Sequence, residues 1–378
     1  MKNMQENTKP YLWRTRSGEN TIPRQARDGE QGRTIVFTSI PWVFVCLMIF
    51  AIGCEQPVPA QPERPGEPLR VDLSPKRPAE DVNNPRLEAL RIIQAALADG
   101  DPLVRVNAIE VIAATRQVKL MPKVVRLLND QFVPVRFAAA LAIGDLRYSL
   151  AENSLRGLLK DKNENVRIAA AYALTKLGFA EYSQLFRNAI ASNDQTVRAN
   201  AALLLGKSGG KDALKFLYWA MQHKDSDDRV AFQAAESIAM LGDARIYQKL
   251  WTMLISAYAD VRVTGIRAMG ALGTAEAKNA LITMLDDDLL EVRLASAEQL
   301  GMLKDPAGER EVLQVFEKNL TTGLDEKSRE RTYVLTALAI GQIGTPSLVK
   351  FLPPLLKNES KFVRIAAAKA VLQSTVKR

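Results

Sequence analysis

The chain has 378 residues, of which 47% are hydrophobic, 25% charged and only 6% aromatic, a balance rich in Ala and Leu that suits stacked helices better than sheets. Its formal charge of +9 divides into +3 on residues 1–53, −2 on 54–83 and +8 on 84–378. The mild basic bias of the largest region fits weak attraction to anionic surfaces but falls short of a nucleic-acid-binding stripe, so no nucleic acid is expected as a partner. The two cysteines, Cys46 and Cys54, both sit at a single apolar run, which argues against a disulfide framework and a thiolate metal site.

Residues 1–33 are polar and lack a periodic apolar face; they read as a disordered leader or as the result of a wrongly assigned start codon. An uncharged stretch runs from Thr34 to Ile52, with Arg33 and a net positive flank before it and the small residue Gly53 after it. A positive flank, an apolar run and small residues make a secretory signal. The tetrad Ala51-Ile52-Gly53-Cys54 resembles the lipobox of bacterial lipoproteins, so residues 34–54 are expected to be a signal peptide. That resemblance implies lipid attachment at Cys54, although Ala51 and Ile52 depart from the usual Leu and small residue. The run is also long enough to be an uncleaved anchor. Either arrangement holds the chain at the membrane of a bacterial cell envelope, facing the periplasm or the exterior. Residues 55–83 interleave charge with Pro57, Pro59, Pro62, Pro65, Pro68, Pro75 and Pro78. Such a segment buries too little apolar area to fold and is expected to be an extended tether.

From residue 84 to 378 one phrase keeps returning: an aliphatic residue, an arginine, then a run of small residues. Its arginines are Arg105, Arg136, Arg167, Arg198, Arg229, Arg262, Arg293 and Arg364, with the order inverted at Arg229-Val230. The spacing is 31 from Arg105 through Arg229, then 33 and 31, and the final gap of 71 leaves room for one further copy near Arg331. A fixed period of this length marks a solenoid. Nine first helices are expected near residues 102, 133, 164, 195, 227, 259, 290, 328 and 361, with a lone helix over 84–98 capping the N-terminal end. Asp101, Asp161, Asp194, Asp225 and Asp260 are candidate caps. Gly144, Gly178, Gly206, Gly242, Gly273 and Gly344 are candidate helix ends. The pattern is similar to the HEAT family, most closely the short HEAT-like repeats of the phycobilisome-lyase type. The resemblance implies an all-α, right-handed α-solenoid of about nine helical hairpins, drawn out into an arc.

A cation in the first turn of a helix opposes the macrodipole, so the recurrent arginines need partners; Asp or Asn of the same or the neighbouring repeat would make them a structural ladder. Chemistry is hard to find elsewhere. The lone histidine, His223, reads as an exposed helix end, and one imidazole does not make a zinc or iron site. Gly206-Lys-Ser-Gly-Gly-Lys is a turn between helices, with no strand before it to make a phosphate loop. Asp286-Asp287-Asp288 sits at an inter-repeat turn, where capping is the simplest use. No cofactor, no metal and no catalytic residue are expected.

One feature suggests binding. In the column of the second helices that should face solvent, Trp219 stands alone among polar and small residues, with Phe216, Trp251, Lys215 and Lys249 around it. Aromatics amid basic residues suit a protein or peptide hot spot. With the second helices lining the concave face, the expected function is a membrane-anchored, non-enzymatic scaffold that binds a protein or peptide there. Two alternatives are a lyase-like enzyme or enzyme subunit, and an electrostatic binder of anionic surface polymers.

Overall fold

The computed structural model describes residues 84–374. The leader, the signal with its lipobox at Cys54, and the proline-rich tether lie outside the described residues. Within them the chain alternates long and short helices. The long ones are α2 (Pro102–Ala114), α4 (Val133–Asp145), α6 (Glu164–Lys176), α8 (Gln195–Ser208), α10 (Asp228–Met240), α12 (Ala259–Leu272), α14 (Leu290–Met302), α16 (Glu326–Ile343) and α19 (Lys361–Ser374). Between them lie α1 (Pro85–Ala96), α3 (Met121–Arg126), α5 (Glu152–Leu158), α7 (Ser183–Ala189), α9 (Leu214–Gln222), α11 (Tyr247–Leu254), α13 (Ala275–Thr283), α15 (Glu309–Glu317), α17 (Pro346–Val349) and α18 (Leu352–Leu355). The all-α solenoid of nine arginine-bearing helices is as the repeat predicts.

The caps differ in part. Asp101, Asn163, Asp194 and Asp227 accept the first backbone N–H groups of α2, α6, α8 and α10, whereas Asp260 lies inside α12. Each of the first eight long helices ends in a left-handed residue, and that residue falls eleven positions after the arginine: Arg116, Arg147, Gly178, Gly209, Gly273 and Lys304. By the same count Gly242 and Gly344 assign the arginine position to Ala231 and Tyr333. Arg229 therefore stands outside the ladder and pairs at 2.7 Å with Asp227, the cap of its own helix. Arg331 is not the missing copy either; it bonds Glu291 at 3.0 Å. Gly144 and Gly206 are not helix ends. They lie inside α4 and α8 where the next long helix comes closest: a Cβ at Gly144 would sit 2.8 Å from the Ala173 Cα, and one at Gly206 2.7 Å from the Ser237 Cβ.

The long helices pack one against the next, and each short helix packs on its flanking long ones. The last long helix, α19, packs on α16 behind it and on α1 and α2 ahead of it. The expected arc is therefore closed into a ring. α1 does not cap a free end. Capped by Asn84 and started by Pro85, it buries the stripe Ala89, Ile93 and Ala96 and serves as the short partner that α19 lacks. A salt bridge marks the seam, with the Lys361 Nζ 2.8 and 2.9 Å from the two carboxylate oxygens of Asp99.

The ring also reverses the expected layers. The Lys207 Nζ on α8 reaches Asp145 on α4 at 3.0 Å, passing over the intervening α6. Residues two long helices apart can meet only on the inner side of a curved layer. The long helices therefore form the lumen wall and the short helices the outer surface. The expectation that the short helices line the concave face is corrected accordingly.

Candidate functional site

The arginines are tied to the turns rather than to the lumen. Arg105 donates through Nη1 to the carbonyls of Asp99 and Gly100 at 2.7 and 3.1 Å, and through Nε and Nη2 to the Asp130 carboxylate at 2.9 and 3.0 Å. Arg136 repeats this on Asp130, Gln131 and Asp161. Arg262 bonds the carbonyls of Ser256 and Ala257 and, through Nη2, one oxygen of Asp287, its Nε lying 2.8 Å from the other without a hydrogen bond. One guanidinium thus holds the turn before its own helix to the turn after the next short helix. That answers its unfavourable place in the macrodipole. Asp161, drawn from the cap list, is this acceptor, and Arg136 holds its carboxyl below the usual carboxylate range although burial pushes the other way. Where Ser192 replaces the aspartate the pair is absent and Arg167 keeps only its carbonyls, while Arg198 bonds the Ser192 carbonyl and the Ser226 hydroxyl. Arg293 turns to Glu311, and Arg364 bonds the carbonyls of Asn358 and Glu359.

The aromatic patch lies on the outer surface. Trp219 is 40% exposed and stands between His223, with ring centroids 4.4 Å apart, and the Arg198 guanidinium 5.7 Å from its ring. Trp251 stacks on Tyr247 with centroids 6.4 Å apart. The Lys215 ammonium lies over the Phe216 ring, and Lys215 and Lys249 are exposed. His223 is half-buried rather than a free helix end, because its ring covers Trp219.

The lumen gathers the ionisable groups that sequence reasoning left unplaced. Five positions after the arginine, each long helix turns a residue inward, and in five repeats it is charged: Glu110, Glu236, Arg267, Glu298 and Lys369. Arg267 pairs with Glu236 at 2.8 Å. Lys207, Asp145 and Tyr172 form a second group, with the Tyr172 hydroxyl donating to Asp145 at 2.7 Å. Glu110 is different. Its Oε1 is buried and has no hydrogen-bond partner among the described residues. Burial pushes its pKa up to about 8, against the opposing fields of Lys369, Arg267 and Lys207. Burial also raises Glu298, against Lys369 and Arg267. The same cations act on glutamates of α2 and α14, so these groups share one interior. An open cavity of about 240 Å³ lies beside Glu110, lined by Ala113, Ala138, Leu141 and Ala142 and by Asp145 and Lys207. A carboxyl kept protonated near neutrality next to a cavity can donate a proton or a hydrogen bond. The signal was present in the sequence as a column that mixes charged residues with Leu141, Tyr172, Leu203 and Leu338. It becomes legible only once the helix register and the inner layer are known. Among the described residues no group of His, Cys, Asp or Glu is placed to hold a metal ion.

A ring of arginine-laddered helical hairpins with small residues where the long helices meet is a HEAT-repeat architecture, and the HEAT repeats family matches the chain over residues 89–175, 122–191, 182–262 and 253–335. The chain belongs to that family. Among curated proteins it is similar to the phycocyanobilin lyase subunit alpha of Nostoc sp. (strain PCC 7120), with 29% identity over 118 residues, 30% of this chain and 43% of that protein. The match thus spans less than half of the relative's length. Among solved structures it is similar to the complex of CpcE and CpcF of phycocyanin lyase from Nostoc sp. PCC 7120, with 19% identity, 66% of this chain and all of that one covered, and a TM-score of 0.40. It is also similar to human deoxyhypusine hydroxylase in complex with glycerol, with 16% identity, 70% and 98% covered, and a TM-score of 0.35. The similarity to a lyase subunit overturns the expectation that the chain is not an enzyme.

Proposed function

We propose that the chain is a HEAT-repeat subunit of a lyase-type enzyme, working with a second protein and using Glu110 in the ring's lumen as proton donor. The observation that carries this reading is the buried, unpartnered carboxyl oxygen of Glu110, protonated near neutrality beside a cavity. Adding a group across a carbon–carbon double bond, or eliminating one, moves a proton, and a carboxyl poised near the working pH is suited to that task. The reaction class comes from the similarity to the phycocyanobilin lyase subunit alpha, and the expectation of a partner from the two-protein complex. Incubating the full chain with CpcF, phycocyanobilin and pigment-free phycocyanin tests it. Covalent pigment, read by fluorescence on a denaturing gel, should form with the wild type and fall by roughly 100-fold in Glu110→Gln. No pigment with the wild type would refute the reading.

In this proposal the partner docks on the outer aromatic patch of Phe216, Trp219, Trp251, Lys215 and Lys249, supported by the exposure of Trp219. A photocrosslinker at position 219 that captures nothing would remove that element. The same proposal holds the ring at the cell envelope through a lipid on Cys54, supported by Ala51-Ile52-Gly53-Cys54 after an apolar run. Fatty-acid label retained on Cys54→Ala would defeat it.

A further inference from the structure

The lumen also says what kind of molecule it would accept. We infer that the cavity beside Glu110 binds the carboxylate of an organic acid with an apolar body, Glu110 donating a hydrogen bond to it and Lys369 supplying the opposite charge. This uses the same lumen as the lyase reading but does not depend on that reaction.

Three observations converge. The floor is alanine and leucine, which fits an apolar body, with the polar groups Glu110, Asp145 and Lys207 around it. The charges divide unevenly. Lys207 and Asp145 line the cavity as a matched pair and Arg267 is matched by Glu236, whereas Lys369, on the α19 that packs beside Glu110's helix, makes no ion pair among the described residues and exerts the largest single charge effect on Glu110. The unpartnered oxygen belongs to Glu110, the acid on the cavity that stands apart from the Lys207–Asp145 pair. An organic cation in the same place would find the cavity's one ionised acid, Asp145, already taken by Lys207; an anion meets a donor and an unmatched ammonium.

The charged groups facing Glu110 are Asp145 from α4, Lys207 from α8, Arg267 from α12 and Lys369 from α19, with Glu236 and Glu298 further along the lumen and Arg86, Glu88 and Arg91 on the packed α1. Of these, the fields of Lys369, Arg267 and Lys207 hold Glu110 down, and only desolvation holds it up. A bound carboxylate adds a negative charge and so requires the protonated form. If Glu110 must be protonated, apparent affinity scales with the protonated fraction, which falls about tenfold between pH 7 and pH 9 for a group titrating at about 8.

The test is calorimetric titration of the full chain with benzoate, benzamide and benzylamine. Benzoate should bind best and lose about tenfold in affinity from pH 7 to pH 9. Glu110→Gln, which keeps an N–H donor but cannot ionise, should bind benzoate with that pH dependence gone. Lys369→Met should weaken benzoate by tenfold or more and leave benzamide unchanged. Preference for benzylamine, no benzoate binding at either pH, or an unchanged pH profile in Glu110→Gln would overturn the proposal. Because no turnover is measured, benzoate binding without pigment transfer would sink the lyase reading and leave this one standing, and the converse result would do the opposite.

Discussion

The ring joins its repeats in two ways. Inside the chain, Arg105 and Arg136 each clamp an aspartate of the next turn with two parallel hydrogen bonds, Arg262 holds Asp287 by one hydrogen bond and an ion pair, and the Arg105–Asp130 pair is only 9% exposed on either side. At the seam, where α19 meets α1 and α2, the equivalent turn aspartate is Asp99, and the residue that reaches it is Lys361, one turn before Arg364. Lys361 is 53% exposed. The body is thus registered by buried bidentate pairs and chain connectivity. The seam is registered by a solvated point charge over an apolar stripe. Closure lets every repeat cover its greasy face with a neighbour, which an open solenoid achieves only by adding polar terminal repeats.

Removing a body clamp should have the largest effect. Arg105→Ala leaves the largely buried Asp130 carboxylate without its cation and frees the carbonyls of Asp99 and Gly100, a loss of about 3–5 kcal/mol in a denaturant melt. Next comes the apolar part of the seam. Ile93, fully buried on α1, should cost about 3 kcal/mol as Ile93→Ala. Its signature should differ: hydrogen exchange should quicken in α1 and α19 well before the body of the ring loosens. If Ile93→Ala melts the ring in one step with uniform exchange, the seam is no weaker than the body.

How much of this was legible follows from what each residue must satisfy. The period of 31 and the arginine phrase place the nine long helices within two residues, because caps and the small-residue run are local features. Ring closure was not legible. It depends on summed curvature, set by close approaches such as Gly301, where a Cβ would sit 2.8 Å from the Ile343 N. The inverted Arg229-Val230 misled the count because the valine, not the arginine, keeps its place in the core. Helix ends were legible only where glycine takes the left-handed residue. At Arg116, Arg147 and Lys304 an ordinary side chain does so at φ 55°, 50° and 61°. The lumen site was hidden for a related reason: Glu110 and Lys369 look like surface residues until α19 is brought beside α2.

The lumen allows a prediction of opposite sign. A carboxyl raised from 4.5 to about 8 keeps its proton after the unfolded chain has lost its own. The folded state is therefore favoured by this group below about pH 4.5, and the advantage is lost as pH climbs to about 8. Glu110→Gln escapes that loss and should be more stable than the wild type by up to about 4 kcal/mol at pH 8, with little difference at pH 4. Equal stability at both pH values would mean that Glu110 is solvated like a surface acid.

The smallest effect belongs to the seam's charge pair. Lys361 is the chief cause that holds Asp99 below the usual carboxylate value of 3.8, with the Asp101 N–H second. The depressed carboxyl contributes stability that is present above that value and lost as pH falls through the lower folded one. Lys361→Ala should therefore cost only about 0.5 kcal/mol at neutral pH and reduce the acid sensitivity of α1 exchange without abolishing it, since the Asp101 N–H remains. The informative comparison is with Arg105→Ala under the same conditions. If the lysine proves as costly as the arginine, the seam is clamped by charge after all. If it is nearly silent while Ile93→Ala opens α1, the ring closes on apolar packing, and Asp99 only sets the angle at which the ends meet.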